Sequence, residues 1–365
     1  MYYSSAYTEP WVSYVEDNGE VKYNKFEGED YLMMPLTFDI ISAGTIYWKK
    51  CSSDGETRTI QYTKNNGQTW TNITSSTAGT SFNVSAGDKV MFRGNNEAYS
   101  FGDVRCNCFC GTTAVFEVYG NIMSLIDSTG FTSALTLTGD YTFYGLFEQC
   151  TGLTSAENLM LPATALTIYC YRELLARCTN LTESPKKLPA KTMTNNCYSR
   201  MFSGCTNLVT TPTLPAKNLD WNCYGYMFGG CTSLTTGPVL PATEIATYAY
   251  QFMFFGCSSL SEAPKLPATS LNSLCYYYMF GHCTSLTTAP ELPALTLPDR
   301  CYMSMFYGCT SLNYVKCLAT KNNSYGTSGW LENVSQTGTF VKDSSMSSWT
   351  TGNSGIPTNW TVQDA

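Results

Sequence analysis

Apolar side chains recur through the middle of this chain at a fixed distance, far longer than any helix or strand period. Aligned on the Cys that precedes Thr or Ser, at Cys150, Cys178, Cys205, Cys231, Cys257, Cys283 and Cys309, the spacings are 28, 27, 26, 26, 26 and 26 residues. Three residues before this Cys runs a column from Phe147 to Phe306, and four before it a Leu/Met column from Leu146 to Met305. Three after it, an unbroken leucine column extends from Leu153 to Leu312. Eight before it lies a second thiol column (Cys170, Cys197, Cys223, Cys275, Cys301), followed by an aromatic column from Phe143 to Tyr302. One unit of this size cannot bury its own Leu, Phe and Met, so identical neighbours must cover it. The pattern predicts a solenoid.

Within a unit, CTSLTTAPEL is short, Thr-rich and closed by Pro-Ala, which predicts a brief strand and a turn. CYYYMFGHC groups its apolar residues and ends near Gly, which predicts one or two helical turns. With strands about 4.8 Å apart, seven such units form a parallel ladder roughly 30 Å long.

The motif MFxGCTxL followed by LPA resembles the BspA-like (Treponema-type) leucine-rich repeats of Bacteroidota surface proteins and of their phages. The likeness covers about residues 116–319, although this unit is a few residues longer and carries an added Pro (Pro185, Pro212, Pro238, Pro264, Pro290). The resemblance implies adhesion or recognition; spacing by itself implies only a solenoid.

Outside the repeats the pattern changes. Leu36, Phe38 and Ile40 alternate, as do Ile60 with Tyr62 and Phe82 with Val84, and NNGQTW reads as a hairpin with Asn66-Gly67 at positive φ. Residues 31–115 are therefore expected to form a β-sandwich-like domain. Thr63, Asn65, Gly67 and Trp70 resemble an Asp-box hairpin with Asn in place of Asp, a structural staple. Residues 1–30 are aromatic and acidic, and read either as an anchoring arm or as an irregular first strand. Residues 116–320 form the leucine-rich-repeat solenoid. Residues 321–365, with Trp330, Trp349 and Trp360, form a C-terminal cap whose aromatics either pack or bind. The fold class is mainly β with short helices.

Charge narrows the partners. Only 13% of residues are charged and the net charge is −7, with no basic run to neutralise phosphates, so no nucleic-acid partner is expected. No apolar stretch approaches the ~20 residues of a membrane span. The N-terminus lacks the layout of a secretory signal. Seventeen cysteines are an odd number for a disulfide framework. The two Cys of a unit, eight residues apart, would sit ~12 Å apart on a helix, beyond the ~7 Å that a bridge spans. They read as buried thiol columns, with bridges between neighbouring units as the alternative. In CNCFC, Cys106, Cys108 and Cys110 read as the buried face of a strand or as a soft-metal site lacking the usual Cys-x-x-Cys knuckle.

Chemistry is sparse. The lone histidine, His282, fills a column otherwise held by Gly204, Gly230, Gly256 and Gly308, and the thiols belong to packing columns. No recurring carboxylate pair, phosphate loop or dinucleotide fingerprint occurs, so no enzyme, metal or cofactor is expected. The candidate ligand surface flanks the repeated Pro: Thr211 and Thr213, then Val239, Lys265 and Glu291, which vary while the core columns do not. The expected function is a non-catalytic interaction protein on the virion surface of a phage infecting gut Bacteroidota, assembled in the host cytoplasm. The N-terminal region would meet other virion proteins, and the solenoid a host-surface protein or glycan. A BspA-like adhesin on the bacterial cell surface is the competing reading, and a glycan-processing accessory protein a third. Homo-oligomerisation is left open.

Overall fold

The structure, a computed structural model, describes residues 11–15, 21–25, 30–52, 55–102, 107–322, 325–347 and 349–365. Of the expected arm, β1 (Trp11–Val15) and β2 (Val21–Lys25) form an antiparallel pair. Most of the remainder of residues 1–30 lies outside the described residues.

Alternation along the next strands produces two facing sheets. β3 (Leu36–Ser42), β5 (Thr59–Thr63), β6 (Thr71–Thr74), β8 (Lys89–Arg93) and β10 (Val115–Asn121) pair antiparallel in the order β10-β3-β8-β5-β6. β4 (Gly44–Lys50) pairs with β7 (Thr80–Val84) and β9 (Asn107–Cys108) in the second sheet. Leu36, Phe38 and Ile40 point between the sheets and are buried, with Ile46 and Trp48 opposite. Phe38 stacks on Phe116 at 4.3 Å, and the Trp48 indole N–H donates to the Arg58 carbonyl at 2.8 Å. In the NNGQTW hairpin, Asn66 and Gly67 take positive φ. The Asn65 side-chain oxygen accepts from Thr63 Oγ1 at 2.7 Å and from the Thr69 N–H at 3.0 Å, closing the loop as an Asp would.

β10 joins the two parts of the molecule. One edge pairs antiparallel with β3; the other pairs parallel with β11 (Leu153–Ser155) and β12 (Leu159–Met160) of the first coil. The sandwich sheet thus runs into the solenoid, and no open edge is left at this junction.

In the solenoid, the predicted columns all face inward. Rings from Phe202 to Phe306 stack at 5.5–5.6 Å, and those from Tyr171 to Tyr276 at 5.5–6.0 Å, with Tyr302 tilted beyond them at 5.8 Å. The Leu and Met columns are likewise buried. The thiols are buried and unbridged, and the column aligned on Cys231 has a specific partner. Cys205, Cys231, Cys257 and Cys283 each donate to a carbonyl of the preceding coil at 3.0–3.2 Å, for instance Cys231 to Phe202. That carbonyl already accepts the Cys205 N–H, so the thiol fills its second lone pair where no water reaches.

The expected helical turns are absent. Among the described residues the only helical pieces are 3-10 turns at Asp30–Met33 and Ile122–Leu125. The CYGYMFGGC segment is a run of successive turns, with Asn222, Tyr226 and Gly230 at φ 51°, 56° and 78°. Every fourth residue is left-handed, which a right-handed helix excludes. The N–H groups alternate accordingly. Those of Gly225, Met227 and Gly229 bond three residues back in their own coil, while those of Tyr224, Tyr226, Phe228 and Gly230 bond Ala249, Gln251, Met253 and Phe255 of the next. Side chains therefore run two in, two out: Cys275-Tyr276 in, Tyr277-Tyr278 out, Met279-Phe280 in. The strands are shorter than expected too. Single bridges such as Thr236↔Glu262 and Thr288↔Tyr314 stand where strands were predicted. A third ladder contributes β13 (Glu244–Ile245), β14 (Ser270–Leu271) and β15 (Thr296–Leu297).

The C-terminal segment continues the stack. β15 pairs parallel with β17 (Lys321–Asn322), and β16 (Tyr314–Cys317), β18 (Gly338–Lys342) and β19 (Trp360–Asp364) form a parallel sheet. Trp330 lies over Tyr302 at 6.2 Å and Trp349 over Trp330 at 5.6 Å, prolonging the tyrosine column. Trp330 and Trp360 are buried and donate their indole N–H groups to the Gly355 and Ser335 carbonyls. These aromatics pack. Among the described residues no helix is long and apolar enough to cross a membrane.

Candidate recognition surface

Of the residues singled out from the sequence, those after the repeated Pro are exposed. Lys187 bridges Thr213 in parallel register, and Thr213, Val239, Lys265 and Glu291 follow at the repeat spacing, all exposed. Val239 is 80% exposed, while the neighbouring Pro238 and Leu240 are buried. Thr211, on the other side of Pro212, is only half-buried, and its counterpart Ala289 is buried, so that flank belongs partly to the core. The exposed column has no common chemistry. Glu291 is held by Lys316 at 2.8 Å, and its carboxylate raises the Lys316 pKa through that hydrogen bond. Near its N-terminal end, Leu135, Leu159, Met160 and Pro162 line an apolar groove of about 330 Å³ with Lys186 and Lys187 at its rim.

A second surface has more consistent chemistry, and it lies on the outward pairs of the turn segments. The column that holds Glu173 and Arg200 in earlier coils is aromatic in the next three: Tyr226, Phe252 and Tyr278. Their rings stack at 4.3 and 5.0 Å, within 9° of parallel, and the Arg200 guanidinium lies 4.7 Å from the Tyr226 ring. Phe255, Tyr277 and Tyr307 are also half-buried outward residues. His282, exposed, meets Phe255 and Tyr307 edge-on at 5.3 Å each. Partial burial raises the Tyr226 phenol pKa, so the hydroxyl stays protonated at neutral pH. The result is an amphipathic strip: the rings cover one another's faces and turn apolar edges outward, with hydroxyls for hydrogen bonds. The aromatic column singled out from the sequence, Phe143 to Tyr302, is the inward one only. The available signal was substitution of charged residues by aromatics at one fixed column of three successive units.

The CNCFC segment also brings together more than its sequence suggests. Cys108 is buried and disulfide-bonded to Cys110, with Cys51 at 2.9 Å from the Cys108 sulfur. Cys106 lies outside the described residues. The single-face expectation therefore stands for Cys108 alone, because the chain turns at Cys110 after the two-residue strand β9. By contrast, burial pushes the solenoid thiols up, Cys205 and Cys257 to about 12, which keeps them protonated and unreactive.

No family model matches the sequence, and no curated protein matches it. The chain is similar to the crystal structure of a leucine-rich repeat protein from Bacteroides ovatus ATCC 8483. The two share 12% identity over 64% of this chain and 79% of that one, with a TM-score of 0.20. A likeness of that degree carries no argument, and the solenoid stands on this chain's own hydrogen-bond ladders.

Proposed function

We propose that this chain is a non-catalytic interaction protein that recognises a surface glycan through the outward aromatic row Tyr226, Phe252 and Tyr278. The observation that carries the reading is the stacking of three half-exposed rings in register beside Arg200. Sugar rings present apolar C–H faces edged by hydroxyls, which can lie across the row of apolar ring edges bordered by phenol groups and a guanidinium. The motif's resemblance to BspA-like repeats extends the proposal to setting. The chain serves as a virion-exposed attachment or decoration protein of a phage infecting Bacteroidota, held to other virion proteins by residues 1–30. Immunogold labelling with antibodies against the C-terminal tail tests that setting: label on purified particles supports it. Label on uninfected Bacteroidota cells would instead make the chain a cell-surface adhesin of the same repeat type.

The strip has its own test. Changing Tyr226, Phe252 and Tyr278 together to Ser is expected to weaken binding to intact Bacteroidota cells by roughly 10- to 2,000-fold. That follows from about 0.5–1.5 kcal/mol per aromatic contact. Val239→Ser is expected to leave binding unchanged. Reversed sensitivities would move recognition to the Thr213–Glu291 column and favour a protein ligand.

A further inference from the structure

The antiparallel pairing of β4 with β9 sets Lys49 opposite Cys108 and Lys50 opposite Asn107, which brings Cys51 beside the CNCFC segment. Its sulfur lies 2.9 Å from that of Cys108 and 3.5 Å from that of Cys110, and all three sulfurs fall within 4.8 Å of one another. Among the described residues no other group of three His, Cys, Asp or Glu side chains converges in this way. The residues on either side of Cys108 are fixed by the core. Asn107 is buried and donates to the Glu56 and Tyr99 carbonyls at 3.1 and 2.9 Å. Phe109 is fully buried, and its N–H donates to the Leu146 carbonyl at 2.8 Å. Burial then falls from Cys108 to Cys110 to Cys51, so the trio is rigid beneath and open to solvent above. The Lys49 ammonium reaches the turn at Gly111, next to Cys110, where it favours thiolate.

We propose that Cys51, Cys108 and Cys110, when reduced, bind one thiophilic divalent cation of the Zn²⁺ class. Three thiols release three protons to the solvent and donate three thiolates. The complex carries a net charge of −1, compensated by Lys49, and leaves a fourth position for water. Zn–S bonds of about 2.3 Å set sulfurs about 3.8 Å apart, so Cys51 needs to move by less than about 1 Å relative to either partner. The Cys108–Cys110 disulfide is the alternative, metal-free state of the same site, and the Cα separation of 5.3 Å serves both. Two-electron reduction by a phosphine, which takes oxygen from water to become a phosphine oxide, converts the disulfide to the two thiols that binding requires.

The test uses the full chain, reduced with a phosphine, stripped of metal and titrated with Co²⁺ as a spectroscopic probe. One equivalent is expected to produce thiolate-to-cobalt charge-transfer absorption, which Zn²⁺ then displaces. Bound Zn²⁺ is expected to protect Cys51, Cys108 and Cys110 from alkylation, as mapped by mass spectrometry. Cys51 is exposed, so Cys51→Ser should leave the fold intact while weakening Co²⁺ binding at least tenfold. Equal absorption in the variant and the parent, or alkylation of Cys51 unaffected by Zn²⁺, would overturn the proposal.

Discussion

Raised above pH 9 in a non-thiol reductant, the solenoid is expected to unfold in one cooperative alkaline transition, with its midpoint between about pH 9 and 10.5. The thirteen buried solenoid thiols drive it. Desolvation pushes the thiols above the ordinary value of 9.0, with Cys197, Cys205, Cys257, Cys275, Cys309 and Cys317 at about 12 and others, such as Cys178 and Cys231, well above that ordinary value. Below pH 9 the folded and unfolded chains both keep these protons, and the stability is fully present. Above pH 9 the unfolded chain ionises while the folded chain cannot. The unfolded state then binds fewer protons, and stability falls until the folded-state values are reached. Each thiol costs about 1.4 kcal/mol per pH unit over that window, against a typical total stability of about 5–15 kcal/mol. The buried tyrosines, raised from 10.0 by the same desolvation, add to the loss from about one unit higher. Circular dichroism and thiolate ultraviolet absorbance, followed together, should change in the same step. Thiolate absorbance rising before the β signal falls would mean that the columns admit water.

The inward half of this molecule was legible because a repeat states each core position several times. A single Leu is ambiguous, but Leu208, Leu234, Leu260 and Leu286 at one spacing are not, and all are buried. The exposed Thr213–Glu291 column followed from its buried Pro and Leu neighbours. The turn segment misled for a physical reason. A two-in, two-out pattern has a period of four, close to the 3.6 of a helix. The residues that forbid the helix are left-handed, yet several are Tyr226, Phe252 and Tyr278 rather than the Gly that usually announces positive φ. The aromatic row was hidden by the same redundancy, since adjacent aromatics such as Tyr276 and Tyr278 face opposite ways. Cys51 carries no local signal at all. Only the β4–β9 register places it beside a segment more than fifty residues away.

Replacing Phe254 by Ala is expected to cost about 3–5 kcal/mol, read as a lower denaturant midpoint. The ring lies between Phe228 and Phe280, 5.6 Å from each and within 6° of parallel, so truncation removes two stacked contacts and leaves a void between coils. Gly237 lies against the ring tip and, having no side chain, cannot refill that void. A solenoid's stability is a sum of unit and nearest-neighbour terms, so weakening both interfaces of a middle coil should also uncouple the two ends. The unfolding curve is then expected to divide into two transitions, with the sandwich and first coils melting apart from the C-terminal stack. Val239→Ala, at an exposed site in the preceding unit, is expected to change stability by less than about 0.5 kcal/mol. If Phe254→Ala keeps a single transition and costs under about 1 kcal/mol, the coils are held by their backbone ladders rather than by the ring stack.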